Sequence, residues 1–430
     1  MERTLIKRLN ENEQTKIAGF VTKIRDTKYM VFLMLKDFSG EIQVSFSKEE
    51  QASLVEDVLK CTVGSVVTIE GKMVKSEYVK NGGCEFIPSS IKIESIAAPS
   101  PIDEGAEIDS RLDYRWVDLR SNKNTLIFKV QSAMVEAMRE FMYANDFTEI
   151  HTPKTIATAS ESGSDVFEVK YFDGKAYLAQ SPQFYKQMAM AAGFDRIFEV
   201  GPVFRAEKSF TNRHSTEFTG FDVEMSYIDS YEDVMDFEEK LLVHALKKVE
   251  ERYGEEIATV FEKPIVIPNR AFPRVKLEDV YKEIEKRYGY TVPESEKTDL
   301  TSEAEKLACR YAMEEFGSEF IFITDFKPDK RAFYHMRDEN DMPLGYDLLW
   351  RGVEITTGAQ REHRFDILKR QAEEKGLSKD VEFYLEFFKY GCPPHGGFGL
   401  GVDRLTMLLL GLPSLKETEF LFRGPNRLTP

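Results

Sequence analysis

The chain has 430 residues, 42% of them hydrophobic and 31% charged, enough for two or three domains with well-buried cores. Lys and Arg number 58 against 74 Asp and Glu, a net charge of −16, which is the wrong sign for a protein that binds nucleic acid by bulk charge alone. No apolar run approaches a membrane span, MERTLIKRLNENEQ lacks a signal-peptide core, and the four cysteines are scattered without a CxxC. These features point to a reducing cytoplasm, with neither a zinc site nor a disulfide framework.

Residues 1–98 are balanced in charge and carry the β-like runs KIAGFVTKI, MVFLMLKD, EIQVSF, SVVTIEGKMV and FIPSSIKIESI, broken by glycine-rich turns. Five short strands in this span predict an OB-fold, a barrel that offers aromatic and polar side chains to single-stranded nucleic acid. Residues 99–120, with Pro99, Pro101 and an Arg-rich finish, read as a linker. Arg111, Arg115 and Arg120 fit RNA contacts and surface ion pairs equally well, and receive no role. Periodic apolar positions then predict helices near 125–143, 183–192, 231–252, 276–288, 300–315, 361–375 and 379–390, the last stopped by Gly391.

Three segments carry the chemistry. Phe204–Met225, FRAEKSFTNRHSTEFTGFDVEM, reads as a strand, a polar loop around Lys208–Thr216 and a returning, alternating strand. Such a hairpin aims Arg205, Arg213, His214, several carboxylates and the flat face of Phe218 at one place. Those are cations for phosphates, acids for an amino group or metal, and a ring for a base. Standing alone, the segment is explained as well by a solvated charged hairpin. Tyr346–His363, YDLLWRGVEITTGAQREH, sets Asp347 and Glu354 across an apolar run with Arg351 and Arg361 nearby. Pro393–Leu410, PPHGGFGLGVDRLTMLLL, is a glycine-rich strand and turn feeding an apolar helix whose first turn carries Arg404. Gly399 and Gly401 would let a ligand approach the backbone, although the segment is neither a P-loop nor a GxGxxG fingerprint.

Together these segments resemble motifs 2 and 3 of the class II aminoacyl-tRNA synthetases. The helix predicted from about Thr125 to Tyr143, followed by FTEIHTPK with its Pro153, resembles motif 1. In detail AYLAQSPQFYKQ, GPVFRAE, RHSTEFTGFDVEM, RGVEITTGAQREH, PPHGGFGLG and RLTP resemble the aspartyl-tRNA synthetases of archaeal and eukaryotic-cytosolic type, over nearly the whole chain. The resemblance implies an α+β architecture: an all-β OB-fold anticodon-binding domain over 1–98, a linker over 99–120, and over 121–430 a class II catalytic domain. That domain would be an antiparallel sheet flanked by helices, with a helical insertion at about 275–330. The sequence itself assigns the insertion no chemistry.

The activity implied is attack of the L-aspartate carboxylate on ATP, with Mg²⁺, to give aspartyl-adenylate, then transfer to tRNA(Asp). Whether tRNA(Asn) is also charged is open. A homodimer with motif 1 at its interface is implied as well. In the ATP site, Arg205 would stabilise the α-phosphate, Phe218 and Arg404 would sandwich the adenine, and Arg404 and His214 would reach the γ-phosphate. Arg213 and Gly401 would belong to the same site, and Glu207 would meet the adenine or the incoming terminal adenosine. Asp347 and Glu354 would hold the metal, with Thr357 supporting its shell. For aspartate, Lys186 would neutralise a carboxylate and Arg361 would form a bidentate pair with the side-chain carboxylate. Asp222 and Gln183 would take the ammonium, with His395, Gly399 and Thr357 nearby, and the Glu161–Gly163 loop would close over the substrate. In the barrel, Phe32 would stack an anticodon base while Arg25 and Gln43 bond base edges. A lone strand phenylalanine is more often core.

Two pocket cations suit aspartate better than asparagine, whose amide would leave one of them unpaired, and would repel lysine. Other readings are an asparaginyl ligase, an asparagine synthetase of the same fold, and a non-catalytic RNA-binding paralogue. The barrel counts against the synthetase, and the presence of Arg205, Glu354 and Arg404 counts against the paralogue.

Overall fold

Alternation along short strands builds the first part of the chain. The strands are β1 (Gln14–Asp26), β2 (Met30–Lys36), β3 (Glu41–Ser47), β4 (Val66–Lys75) and β5 (Cys84–Ser95), and they close into a barrel in the order β1-β2-β3-β5-β4. In β2, Val31, Leu33 and Leu35 are fully buried while Phe32 and Met34 between them are only partly covered, the period of two that a small barrel demands. A helix that the sequence reading did not foresee, Ala52–Val58, packs Val55 and Val58 into the barrel core.

The computed structural model describes residues 2–79, 82–103, 105–157, 166–208 and 211–430. The chain divides into two units, Met1–Val117 and Asp118–Pro430. The second contains β6 (Thr148–Glu149), β7 (Thr155–Ile156), β8 (Glu168–Tyr171), β9 (Gly174–Leu178), β10 (Arg196–Phe204), β11 (Glu217–Ser226), β12 (Arg274–Lys276), β13 (Phe320–Thr324), β14 (Gly345–Trp350), β15 (Val353–Arg361) and β16 (His395–Gly401). Eight of these form one sheet, β12-β13-β14-β15-β16-β11-β10-β6, and β7-β9-β8 form a small second sheet. The large sheet is antiparallel except at its two edge pairs, β12–β13 and β10–β6.

One face of the large sheet is covered by the Asn122–Ala144, Tyr231–Val260 and Val402–Leu410 helices. Phe221, Val223, Phe398 and Leu400 point into that core, against Ile127, Met138, Leu241 and Leu409. By the pleat, the intervening Asp222, Glu224, Gly397 and Gly399 face the opposite side. Helix starts follow local signals. Ser121 accepts from Asn124 N, Thr301 accepts from Ala304 N, and Ser230 with Asp233 forms a capping box. Two expected helices are corrected. The 361–375 helix begins only at Phe365, because Arg361 is the last residue of β15, paired with His395. The 379–390 helix is broken into Glu382–Glu386 and a 3₁₀ turn, Phe387–Tyr390.

The helices Leu277–Tyr288 and Ser302–Phe316 lie between the motif 2 and motif 3 segments. Leu277, Val280, Ile284, Ala308 and Ala312 pack against Ile321, Ile323 and Leu349 of β13 and β14 in one apolar cluster. No helix among the described residues is long and apolar enough to cross a membrane.

Behind the sheet, Glu238 of the Tyr231–Val260 helix is fully buried and accepts a hydrogen bond from Tyr346 Oη at 2.7 Å. Burial pushes its carboxyl up to about 7. An acid whose folded-state pKa is raised holds its proton longer in the native state, so stability falls as pH rises from about 4.5 to about 7 and is flat above. Glu238→Gln is therefore expected to stabilise the protein by about 3 kcal/mol at pH 8 and by almost nothing at pH 4. Urea denaturation at the two pH values checks this. An equal gain at both would mean that Glu238 is not the titrating group.

Candidate active site

The face opposite the helical core is polar because of strand register. Asp222 pairs with Gly399, Gly399 with Thr357 and Thr357 with Asp347, so these residues form one row across four strands. Glycines on β16 keep the floor of that row low. A Cβ at Gly397 would collide with the Val223 carbonyl and the Glu224 carboxylate, and one at Gly399 would crowd Asp222 Oδ1 at 3.1 Å. A register shift between β14 and β15 lets Glu354 and Thr357, three residues apart, share the face, and Thr357 Oγ1 donates to Glu354 Oε1 at 2.9 Å.

At one end of the row lies a closed electrostatic cluster. Lys186 is fully buried, with Nζ 3.0 Å from Asp222 Oδ1 and 3.4 Å from Glu224 Oε2. Arg361 Nε donates to Glu224 Oε1 at 3.0 Å and Nη2 to Gly397 O at 2.9 Å, while Nη1 faces His335 Nε2 at 3.5 Å. Although burial alone would raise the Glu224 carboxyl, Arg361 and Lys186 hold it below the usual range. Two cations and two carboxylates thus balance one another. With Nε and Nη2 of Arg361 already committed, the side open to an incoming carboxylate is that of Nη1, which narrows the expected bidentate pairing.

Beside this cluster Gln183 Nε2 donates to Gln187 Oε1 at 3.0 Å, and Gln187 Nε2 meets His395 Nε2 at 3.0 Å. His395 Nδ1 lies 2.8 Å from Pro393 O, which can only accept. The proton is therefore assigned to Nδ1, leaving Nε2 to accept from Gln187. Burial pushes His395 down to about 4, so it stays neutral and orients Gln187 and, through it, Gln183.

On the other side of the row along the strands, away from Glu224, Gly397 and Arg361, comes the motif 2 loop. Arg205 lies with Cζ 5.3 Å from the Phe218 ring centroid. Arg404 Nη1 donates to Glu354 O at 2.6 Å and its Nη2 to Arg213 O at 3.4 Å. His214 is held below its usual range by burial first and then by Arg404, against the pull of Glu207, with Arg213 and Arg205 adding to the downward shift. Its Nδ1 bonds Thr211. The charges of all five residues therefore meet at one site. Gly401 starts the Val402–Leu410 helix, where a Cβ would meet only Arg404 Cβ at 3.6 Å. Glu161 lies outside the described residues.

Asp347 accepts from both Nη atoms of Arg331, at 2.8 and 2.6 Å. Burial and the charge of Asp347 push Glu354 up to about 7. No group of three or more His, Cys, Asp or Glu side chains is placed to hold a metal among the described residues. Two carboxylates and a hydroxyl on one face suit a hard cation that keeps waters and shares phosphate oxygens. Glu354 and Thr357 fit that description, and Asp347 fits it only by sharing its oxygens with Arg331.

Sequence reasoning missed Arg331, His335 and Gln187. Gln187 stood one turn beyond Gln183, but KPDKRAFYHM carries no local pattern that marks Arg331 or His335. On the barrel, Arg25 pairs with Phe32 across β1 and β2, with its guanidinium 4.6 Å from the ring centroid. Gln43 donates to Ser45 Oγ at 3.2 Å. Phe32 is thus not a core residue. Register places it with Met34, Gln43 and Ser45 on the outer face.

The family described as tRNA synthetases class II (D, K and N) matches residues 107–422, and the OB-fold nucleic acid binding domain matches residues 15–94. An aspartate–tRNA(Asp) ligase of Pyrococcus abyssi is 40% identical over 427 residues, covering 97% of this chain and 96% of its own. An aspartate–tRNA(Asp/Asn) ligase of Methanopyrus kandleri is also 40% identical, covering 98% and 97%. Among solved structures, the asparaginyl-tRNA synthetase of Pyrococcus horikoshii complexed with asparaginyl-adenylate superposes with a TM-score of 0.90 at 30% identity, with both chains covered in full. The aspartyl-tRNA synthetase of Entamoeba histolytica gives 0.86 at 30% identity, covering 100% and 93%. With a family match over most of its length and full-length relatives at this identity, the chain belongs to the class II tRNA synthetases of the D, K and N group.

Proposed function

We propose that the chain works as an aspartate–tRNA ligase in which the row across β14, β15, β16 and β11 binds both small substrates. ATP is a substrate. An oxygen of the aspartate α-carboxylate attacks the α-phosphorus, pyrophosphate leaves, and the 3′-hydroxyl of the tRNA then attacks the adenylate carbonyl with release of AMP. Both steps concentrate charge on phosphate oxygens, so positioned cations matter more than a protein nucleophile.

Arg205 stabilises the α-phosphate, Phe218 offers a face to the adenine, and Arg213, His214 and Arg404 meet the outer phosphates, with Glu207 and Gly401 beside them. Arg404 covers the adenine from the side opposite Phe218, and its in-plane bond to the Glu354 carbonyl leaves the guanidinium face free for that. Asp222 and Gln183 take the substrate ammonium, Lys186 a carboxylate, and Arg361 the side-chain carboxylate through its Nη1 side, with His395, Gly399 and Thr357 completing the pocket. Mg²⁺ would be held by Glu354 and Thr357, with Asp347 beside them, and when bound it neutralises phosphate charge. Residues 1–98 read the anticodon through Arg25, Phe32 and Gln43, residues 99–120 link, and residues 121–430 catalyse. The enzyme is a cytoplasmic homodimer in this reading.

The observation that carries the proposal is the charge-balanced cluster of Lys186, Arg361, Asp222 and Glu224. A zwitterion with one ammonium and two carboxylates can exchange partners with every member of it. Asparagine offers one charge fewer and would leave a buried cation less well paired. Aspartate-dependent ATP–pyrophosphate exchange tests this. Exchange with aspartate and not with asparagine is expected, the reverse would make the chain an asparaginyl ligase, and exchange with neither would end the proposal. Charging of tRNA(Asp) and tRNA(Asn) transcripts in parallel decides the second step. Equal rates mean relaxed specificity, and a gap of roughly a hundredfold excludes it.

The barrel face gives a separate expectation. Stacking of one base on an aromatic ring is worth about 1–3 kcal/mol, so Phe32→Ala should raise the KM for tRNA roughly tenfold or more. Pyrophosphate exchange in the same variant should be unchanged. Loss of exchange would show that Phe32 supports the fold instead.

A further inference from the structure

The helical insertion reaches the motif 2 loop through one turn of helix. The Ser302–Phe316 helix presents Ser302 and Glu305 at its start. Glu305 Oε2 accepts from Arg213 Nη1 at 2.7 Å, and Ser302 Oγ bonds Nη2 of the same guanidinium. Glu305 is well covered, its side chain 12% exposed, and it lies in the field of Arg404 and Asp347 as well as Arg213. The loop is tied at a neighbouring point too, since Leu415 N donates to Asn212 O at 2.9 Å. Glu303, two residues from Glu305, is instead exposed and pairs with Lys306 at 3.2 Å. The insertion therefore commits one specific carboxylate to the site.

We propose that Glu305 is a positioning residue for ATP, holding Arg213 of the motif 2 loop where the triphosphate arrives. This rests on the reading of Arg213 as an ATP contact. A long side chain on a polar loop loses rotamer freedom when it meets a ligand, and a partner that has already ordered it removes that cost from the binding step. Glu305 also has an opposite electrostatic effect, because a carboxylate beside a polyanion's site weakens its binding. The two effects predict opposite signs for the same substitution, which makes them separable.

The test is ATP–pyrophosphate exchange by the full chain, with KM measured for ATP and for aspartate. Glu305→Ala is expected to raise the KM for ATP about tenfold, with the KM for aspartate within about twofold. Glu305→Gln keeps an acceptor for Arg213 and should restore most of the affinity. Glu305→Asp keeps the charge but falls short by one methylene, and should behave like alanine, which keeps the question answerable if the alanine variant does not fold. Glu303→Ala should match the parent. In an Arg213→Ala background, Glu305→Ala should add nothing. A lowered KM for ATP in both the alanine and glutamine variants would assign Glu305 a purely electrostatic role and overturn the proposal. Additive effects of the Arg213 and Glu305 substitutions, or equal shifts for both substrates, would also overturn it. Absence of aspartate-dependent exchange in the parent chain would instead defeat the underlying functional reading, an outcome distinct from any of these.

Discussion

Arg205→Ala is expected to lower the rate of aspartate-dependent pyrophosphate exchange about a thousandfold while barely changing the melting temperature. The rate loss follows from geometry and charge. Arg205 is the first residue after β10, its backbone N donates to Thr216 O at 2.9 Å, and its guanidinium stands 5.3 Å from the centre of the Phe218 ring. In the proposed function this cation, beside the ring offered to the adenine, would meet the α-phosphate where charge grows in the transition state. Single groups of this kind contribute roughly 10²–10⁵-fold. The small stability effect follows from exposure. Arg205 is exposed, so truncation leaves no buried charge unpaired, and surface changes of this type stay within about 0.5 kcal/mol. Single-turnover exchange at saturating ATP and aspartate, alongside a thermal melt, checks both halves. A fall in the melting temperature matching the loss of rate would mean that Arg205 organises the loop and does not act on the phosphate.

The same locality explains what could be read from the chain before its fold was known. Strands and helices were legible where alternation or periodicity spoke locally: the Val31, Leu33, Leu35 series, the apolar period from residue 231 onward, the glycines of β16. Motif residues on β11, β15 and β16 were legible because each string carries several polar groups in one register, and pairing of Asp222 with Gly399 and of Gly399 with Thr357 brings those strings together. What stayed hidden depends on contacts between distant segments. Arg331 is defined by Asp347 on a strand that begins after an intervening loop, and Glu305 by a loop arginine 92 residues away. His335 acquires meaning only because its short bridge to Arg361 places Nε2 at that guanidinium. A motif names the groups at a site, while the Glu354 carbonyl that accepts from Arg404 is a partner that no string reveals.

Arg361→Met is expected to cause the largest loss in aspartate recognition, a fall in kcat/KM for aspartate of roughly a thousandfold or more. An unpaired substrate carboxylate in a buried pocket forfeits a charge-assisted pair and its desolvation goes uncompensated. The single variant has a second consequence, because Arg361 also neutralises Glu224, which is fully buried and relies on Arg361 first and Lys186 second. Removing one member of a buried pair typically costs about 3–5 kcal/mol, so loss of activity alone would not distinguish recognition from misfolding. The double variant Arg361→Met with Glu224→Gln removes both charges, leaves Lys186 its 3.0 Å partner Asp222, and should recover most of the lost stability. Its kcat/KM for aspartate should remain at the level of the single variant, while the value for asparagine changes little, so the preference between the two amino acids collapses. Recovery of aspartate activity in the stable double variant would show that Arg361 acts only by supporting Glu224, and would move substrate recognition onto Lys186.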